Sequence, residues 1–224
     1  MASGEADALA YLETRSSFGR NLADVETIFT SNAFNDGYDV INVGINVDLE
    51  TYDSVWRPHE GGMGFTLLVV LLKGKSSGTL RLDVDLSPLL DVEYLSDDED
   101  VETLVSRIKM ALALAFADTS TMRELKAEMN TLKVAGCEGV DFGTDDYWRW
   151  AVRRQSISSL HYSGSYKMGL SYKADSVMDR KLRVHSVRNL RVADVSVIPN
   201  PVNPHLETSA VMIGEKELDL IKDD

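Results

Sequence analysis

Two hydrophobic rhythms run along this chain of 224 residues, and their order restricts the fold more than any other feature. In residues 38–48 the apolar Ile41, Val43, Ile45 and Val47 alternate with Asn42, Gly44 and Asn46, the period of a half-buried strand. Residues 65–72 are an unbroken apolar run of strand length, the pattern of a strand covered on both faces. In residues 78–84, Leu80, Leu82 and Val84 alternate with Thr79, Arg81 and Asp83, and the stretch 73–78 before them reads as a hairpin turn. The period then lengthens. Val101, Leu104, Val105, Ile108, Leu112 and Ala115 recur at helical spacing to about Phe116, behind a capping box in which Ser96 caps and Glu99 reaches back. Further helices are expected over 121–133, from Thr144 through Tyr147, Trp148, Ala151 and Val152, and over 209–222. Strands followed by helices specify an α+β fold, an antiparallel sheet backed by helices, and not a βαβ chain.

Composition narrows the possible partners. Hydrophobic residues make up 44% of the chain, enough for a packed core. The net charge of −13 has the wrong sign for nucleic acid or anionic lipid. Cys137 is the single cysteine, so no intrachain disulfide can form, and no His or Cys pair has metal-ligand spacing. The start, Met1-Ala2-Ser3-Gly4-Glu5, lacks the basic and apolar regions of a signal peptide, so none is expected. The acidic run 97–100 complements the positive end of the following helix and has no EF-hand spacing. Gly61-Gly62-Met63-Gly64 precedes an apolar strand, not a helix, and so is not a phosphate loop. Neither Gly-x-Gly-x-x-Gly nor Gly-x-Ser-x-Gly occurs.

Two histidines stand out by their settings. His161 precedes Gly164 in His161-Tyr162-Ser163-Gly164-Ser165-Tyr166-Lys167-Met168-Gly169 and is expected to end a helical segment. His205 closes Asn200-Pro201-Val202-Asn203-Pro204-His205, where two prolines hold the chain extended just before a helix. Imidazole exchanges protons near neutral pH, so such a pair can act as acid and base. Taken singly, each is more often a hydrogen-bonded loop histidine, and His59 and His185 are read that way.

The wording around these histidines resembles the C-terminal part of the glucose-methanol-choline (GMC) family of flavin oxidoreductases. The resemblance rests on the His161 string, on residues 182–199 with Arg191-Val192-Ala193-Asp194, and on Met212-Ile213-Gly214-Glu215-Lys216 seven residues after His205. Lys75-Ser76-Ser77-Gly78 and Phe142-Gly143-Thr144-Asp145-Asp146-Tyr147-Trp148 extend it, the latter toward insect glucose dehydrogenases. It implies FAD as cofactor, an alcohol or sugar as substrate, and hydride transfer from carbon to flavin. It also implies His161 as the base, His205 as second partner of the same hydroxyl, and Asp194, Glu207 and Thr208 against the flavin. Residues 1–160 are then expected to form the substrate-binding domain. Residues 161–224 are expected to carry the catalytic histidines and a strand and helix that return to the FAD domain. The half that grips the dinucleotide is expected to be absent, so a flavin-binding half in the same or another chain becomes a required partner. Tyr166 stands where the family usually has Cys, and Glu207 where it has a neutral amide. The alternative is a non-catalytic remnant that binds a small ligand or a partner protein.

Overall fold

The computed structural model describes residues 6–13, 23–34, 36–158, 161–200 and 205–223. Its contacts divide the chain into two compact units, Met1–Leu71 with Tyr94–Ile157, and Leu72–Glu93 with Ser158–Asp224.

The first unit is built on a three-stranded antiparallel sheet, β1 (Ala8–Leu12), β2 (Val25–Thr30) and β3 (Thr66–Leu71), with β2 in the middle. Register places Val25 opposite both Leu12 and Leu71. One face of β3 carries Val69 and Leu71 onto the long helix α3 (Asp98–Ala115), where Val101, Leu104 and Val105 meet them and Val152. Each residue of this cluster removes about 1.5–3 kcal/mol worth of apolar surface from water. On the other face Leu68 is 39% exposed while Thr66 and Val70 are half-buried, so that face of β3 is only partly covered. Asp97, not Ser96, caps α3, its Oδ1 accepting from Glu99 N at 2.8 Å. Three further helices precede or follow: α1 (Tyr38–Ile45), α2 (Leu49–Val55) and α4 (Thr121–Glu124). The last helix of the unit, α5 (Asp145–Gln155), is capped by Thr144 Oγ1. The side chains of Arg149 and Glu102, 2.5 Å apart, tie α5 to α3.

Several expected elements differ. Residues 38–48 are the helix α1, ended by Asn46 in the left-handed conformation, and not a strand. Ile41 and Ile45 alternate with polar residues but also sit four apart, so they share a helix face. Ile41 is 4% exposed while Val43, on the other face, is 89% exposed. The helix expected over 121–133 stops at Glu124. Lys126 turns left-handed at φ 54, and Ala127 N bonds back to Met122 O at 2.9 Å, a Schellman closure without glycine. The helical segment expected to reach His161 ends at Gln155, and Ser156 is extended.

The second unit holds a hairpin, β4 (Thr79–Leu82) with β5 (Pro88–Asp91), and a C-terminal helix α6 (Glu207–Lys222). β4 therefore pairs with β5 and not with β3, so residues 73–78 are a connection and not a hairpin turn. Leu80 and Leu82 are 48% and 64% exposed, so the alternation in β4 does not mark a buried face. The C-terminal strand expected within 190–198 is absent among the described residues. Arg183 and Arg191 form an isolated bridge, and Val195–Val197 is a short 3-10 turn. Asp194 causes the turn, because its Oδ1 accepts from Ser196 N at 2.7 Å and draws the chain out of the extended form. The core of this unit is Met178, Leu182, Val197, Ile198 and, from α6, Ile213.

Candidate active site

The segment carrying His161 is fastened downstream of the ring. Gly164 takes φ +85, and a Cβ there would lie 3.3 Å from Ile198 O, so glycine serves both the turn and the close approach. Beyond it, Tyr166 N donates to Ser196 O and Met168 N to Val197 O, each at 3.0 Å. The His161 string is thereby stitched to the 3-10 turn Val195–Val197.

His205 is fixed by the residue that follows it. Leu206 is 6% exposed and begins α6, whose Ile213 packs on Val197 and Ile198. Both histidines are therefore referred to the same small core. The two rings lie with centroids 5.4 Å apart at an interplanar angle of 78°, edge to face. The His161 ring is half-buried and that of His205 is exposed. Residues Pro201, Val202, Asn203 and Pro204, expected to stiffen the approach to His205, lie outside the described residues.

The other expected positions surround the same elements. Asp194 is exposed and engaged in the Ser196 turn. Glu207 and Thr208 are exposed in the first turn of α6, two residues earlier than the helix was expected to start. Among the described residues no side chain caps that turn, and Glu207 partly answers the positive end of the 16-residue helix. Ser196 was not singled out from the sequence. Its Oγ is buried without a hydrogen-bond partner among the described residues, and only the fold reveals this, since serine in a Val-Ser-Val stretch carries no signal. His185 is held inside the unit, Nε2 lying 3.1 Å from Ser176 Oγ and 3.3 Å from Gly169 O, as an ordinary structural histidine. His59 lies exposed in a 3-10 turn, Arg57–His59. Among the described residues no cluster of three or more His, Cys, Asp or Glu could hold a metal.

A flavin ring edge suits this donor set. The first N–H groups of α6, uncapped among the described residues, and the exposed Asp194 carboxylate are donors and an acceptor of the kind a polar heterocycle uses, while the Ser196 hydroxyl is enclosed by protein. No glycine-rich turn for the pyrophosphate of a dinucleotide accompanies them in the sequence.

Comparison with known proteins gives a consistent answer. The sequence model of the GMC oxidoreductase family matches residues 74–214, a span that includes both histidines, Asp194, Glu207 and Thr208. The glucose dehydrogenase (FAD, quinone) of Drosophila pseudoobscura pseudoobscura is 40% identical over 155 residues, covering 68% of this chain and 24% of its own length. That of Drosophila melanogaster is 38% identical over 135 residues, covering 60% and 21%. The crystal structure of pyridoxine 4-oxidase from Mesorbium loti shares the fold at a TM-score of 0.70 and 17% identity, over 98% of this chain and 38% of that one. The chain thus spans about a quarter of the length of the curated relatives it matches.

Proposed function

The chain belongs to the GMC oxidoreductase family, and from that premise we propose that it is the proton-handling segment of an FAD-dependent oxidoreductase acting on the CH–OH group of an alcohol or sugar. The observation that carries the reading is the pair of imidazoles with centroids 5.4 Å apart. Rings that close can address one hydroxyl oxygen at hydrogen-bond distance, about 2.6–3.2 Å from each.

In this reading His161 takes the hydroxyl proton and His205 holds the same oxygen in place. The flavin, when bound, supplies the chemistry that accepts the hydride from the carbinol carbon. Asp194, Glu207, Thr208 and the N-terminal amides of α6 are assigned to the flavin edge. Glu207 sets a carboxylate beside charge that develops there, and this favours the oxidised cofactor. Substrate binding is assigned to residues 1–160 and proton handling to 161–224. The small alcohol or sugar and a flavin-binding half, in the same or another chain, are the partners. Val211, Met212, Leu218 and Ile221, 49–62% exposed on α6, favour association with further protein, and they also suit the alternative of a non-catalytic binding remnant.

The test joins this segment to a flavin-binding half and mixes the holoprotein anaerobically with glucose and a series of primary alcohols. Bleaching of the oxidised flavin absorbance by one or more of them is expected. A stable complex whose flavin stays oxidised with every member would favour the binding remnant.

A further inference from the structure

The loop 179–191 is at odds with the charge of the chain. The chain has 23 Lys and Arg residues and a net charge of −13, yet Arg180, Lys181, Arg183, Arg188 and Arg191 fall within these 13 positions, with Asp179 the single acid. The loop borders an open depression of about 480 Å³, lined by Asp179 and residues 183–191. Its basic side chains are not equivalent. Arg183 forks onto Asp179, Nε and Nη2 reaching Oδ2 at 2.9 and 2.7 Å. Arg191 donates to Lys181 O and lies 3.7 Å from Glu217. Arg180 and Arg188 are both exposed and without a partner among the described residues, and of these two only Arg188 lines the depression.

The loop that presents Arg188 is firmly held and conformationally costly. His185 N donates to Val177 O at 2.9 Å, its ring meets Ser176 and Gly169 from beneath, and Val184 N donates to Leu190 O at 3.0 Å. Leu182 and Ser186 nevertheless adopt φ of 60 and 62, a region that residues other than Gly, Asn and Asp seldom enter, while Asn189, at φ 60, is of a type that tolerates it. Strain of this kind persists where the surroundings over-determine it, and it concentrates at ligand clamps. A loop held by backbone hydrogen bonds, an open depression and, within its lining, one uncommitted guanidinium suit an oxyanion that accepts from the planar fork of arginine.

We propose that this loop binds a tetrahedral oxyanion, phosphate or sulfate as the free ion or as an ester, with Arg188 as its principal donor. Arg183 and Arg191 also line the depression; Arg183 forks onto Asp179, the one acid in its lining, and Arg191 lies near Glu217. Its lining includes neither His161 nor His205, and the proposal does not depend on the reading of that pair.

Calorimetric titration of the full chain tests it, with inorganic phosphate and glycerol phosphate in one arm each and chloride at equal ionic strength as reference. Saturable heat with either phosphate and none with chloride is expected; tighter binding of the ester identifies an esterified source, and equal binding the free ion. Arg188→Gln should weaken binding at least about tenfold, Arg188→Lys should fall between, and Lys216→Gln, which removes the same charge on exposed α6, should leave it within about twofold. Circular dichroism should be unchanged in all three. Absence of saturable heat above chloride would overturn the proposal, as would Arg188→Gln binding like the parent, or Lys216→Gln losing as much as Arg188→Gln.

Discussion

Truncating Ile213 to alanine should loosen the mount of both histidines without touching either. Ile213 is 6% exposed on α6 and packs with Met178, Leu182, Val197 and Ile198. The change removes three side-chain carbons, about 2.4 kcal/mol at ~0.8 kcal/mol for each buried methylene. Partial collapse leaves a cavity that brings the cost to about 3–4 kcal/mol, within the usual range for such truncations. Converted at 1.4 kcal/mol per decade, this raises the opening of the unit by roughly 100- to 1,000-fold. Amide hydrogen exchange read by mass spectrometry in peptides covering 177–198 and 206–222 reports that opening directly. Protection in both should fall together by that factor, because α6 and the Val195–Val197 turn share the core. A fall of less than about threefold, under ~0.7 kcal/mol, would refute the packing of α6 on that core and with it the common mount of His161 and His205.

Three further outcomes follow from other residues. Arg107 on α3 is 3% exposed, its Nη1 reaches only Met110 Sδ at 2.8 Å, and its Nε is buried without a partner among the described residues. Arg107→Met keeps the stem and removes the charge, so urea unfolding followed by tryptophan fluorescence should show a gain of about 1–3 kcal/mol; a loss above 1 kcal/mol would mean that the guanidinium has an acceptor. Burial raises the Asp179 carboxyl, but the Arg183 side chain and the Arg183 and Lys181 backbone N–H groups outweigh it and hold the group below its ordinary range. A depressed carboxyl stabilises the fold above its unfolded value, near 3.9, and this is lost as pH falls through the folded value. Asp179→Asn should therefore be less stable than the parent at pH 7 and draw level at low pH, and an equal gap at both, measured by urea unfolding, would contradict the assignment. Thr144→Ala removes the cap of α5, whose Oγ1 accepts from Tyr147 N at 3.2 Å, and should cost about 1 kcal/mol in thermal unfolding; a change within 0.2 kcal/mol would show the cap to be idle.

What the sequence disclosed depended on how many signals agreed at each place. Helix α3 was legible because its 18 residues open on an acidic first turn and keep a helical period, and the error of one residue in its cap is the size of ambiguity that Ser96 beside Asp97 creates. α5 was legible for the same reason, with Thr144 before two aspartates. Strand β2 escaped notice because Glu26, 0% exposed, is its second residue and, with Thr27, breaks the apolar pattern that marks a buried strand. Pairing was misread at β3 and β4 because two apolar runs beside a turn state that strands exist, not which ones meet. At the candidate site, the two histidines were visible through the strings that contain them, while their 5.4 Å approach is a product of tertiary structure. Ser196 could not be found from sequence, because its distinction is a missing partner and not a residue type.

Anaerobic stopped-flow mixing of the flavin-reconstituted protein with its alcohol measures the proton-handling step most directly. If His161 takes the hydroxyl proton while His205 holds the oxygen, His161→Ala slows flavin reduction by about 100-fold or more, the usual loss for a positioned base. His205→Asn, which keeps a hydrogen bond and gives up titration, retains most of the rate. The double variant His161→Ala with His205→Ala is then little slower than His161→Ala alone, because two groups acting on one oxygen do not contribute independently. Flavin reduction by His161→Ala at the parent rate would contradict the paired site.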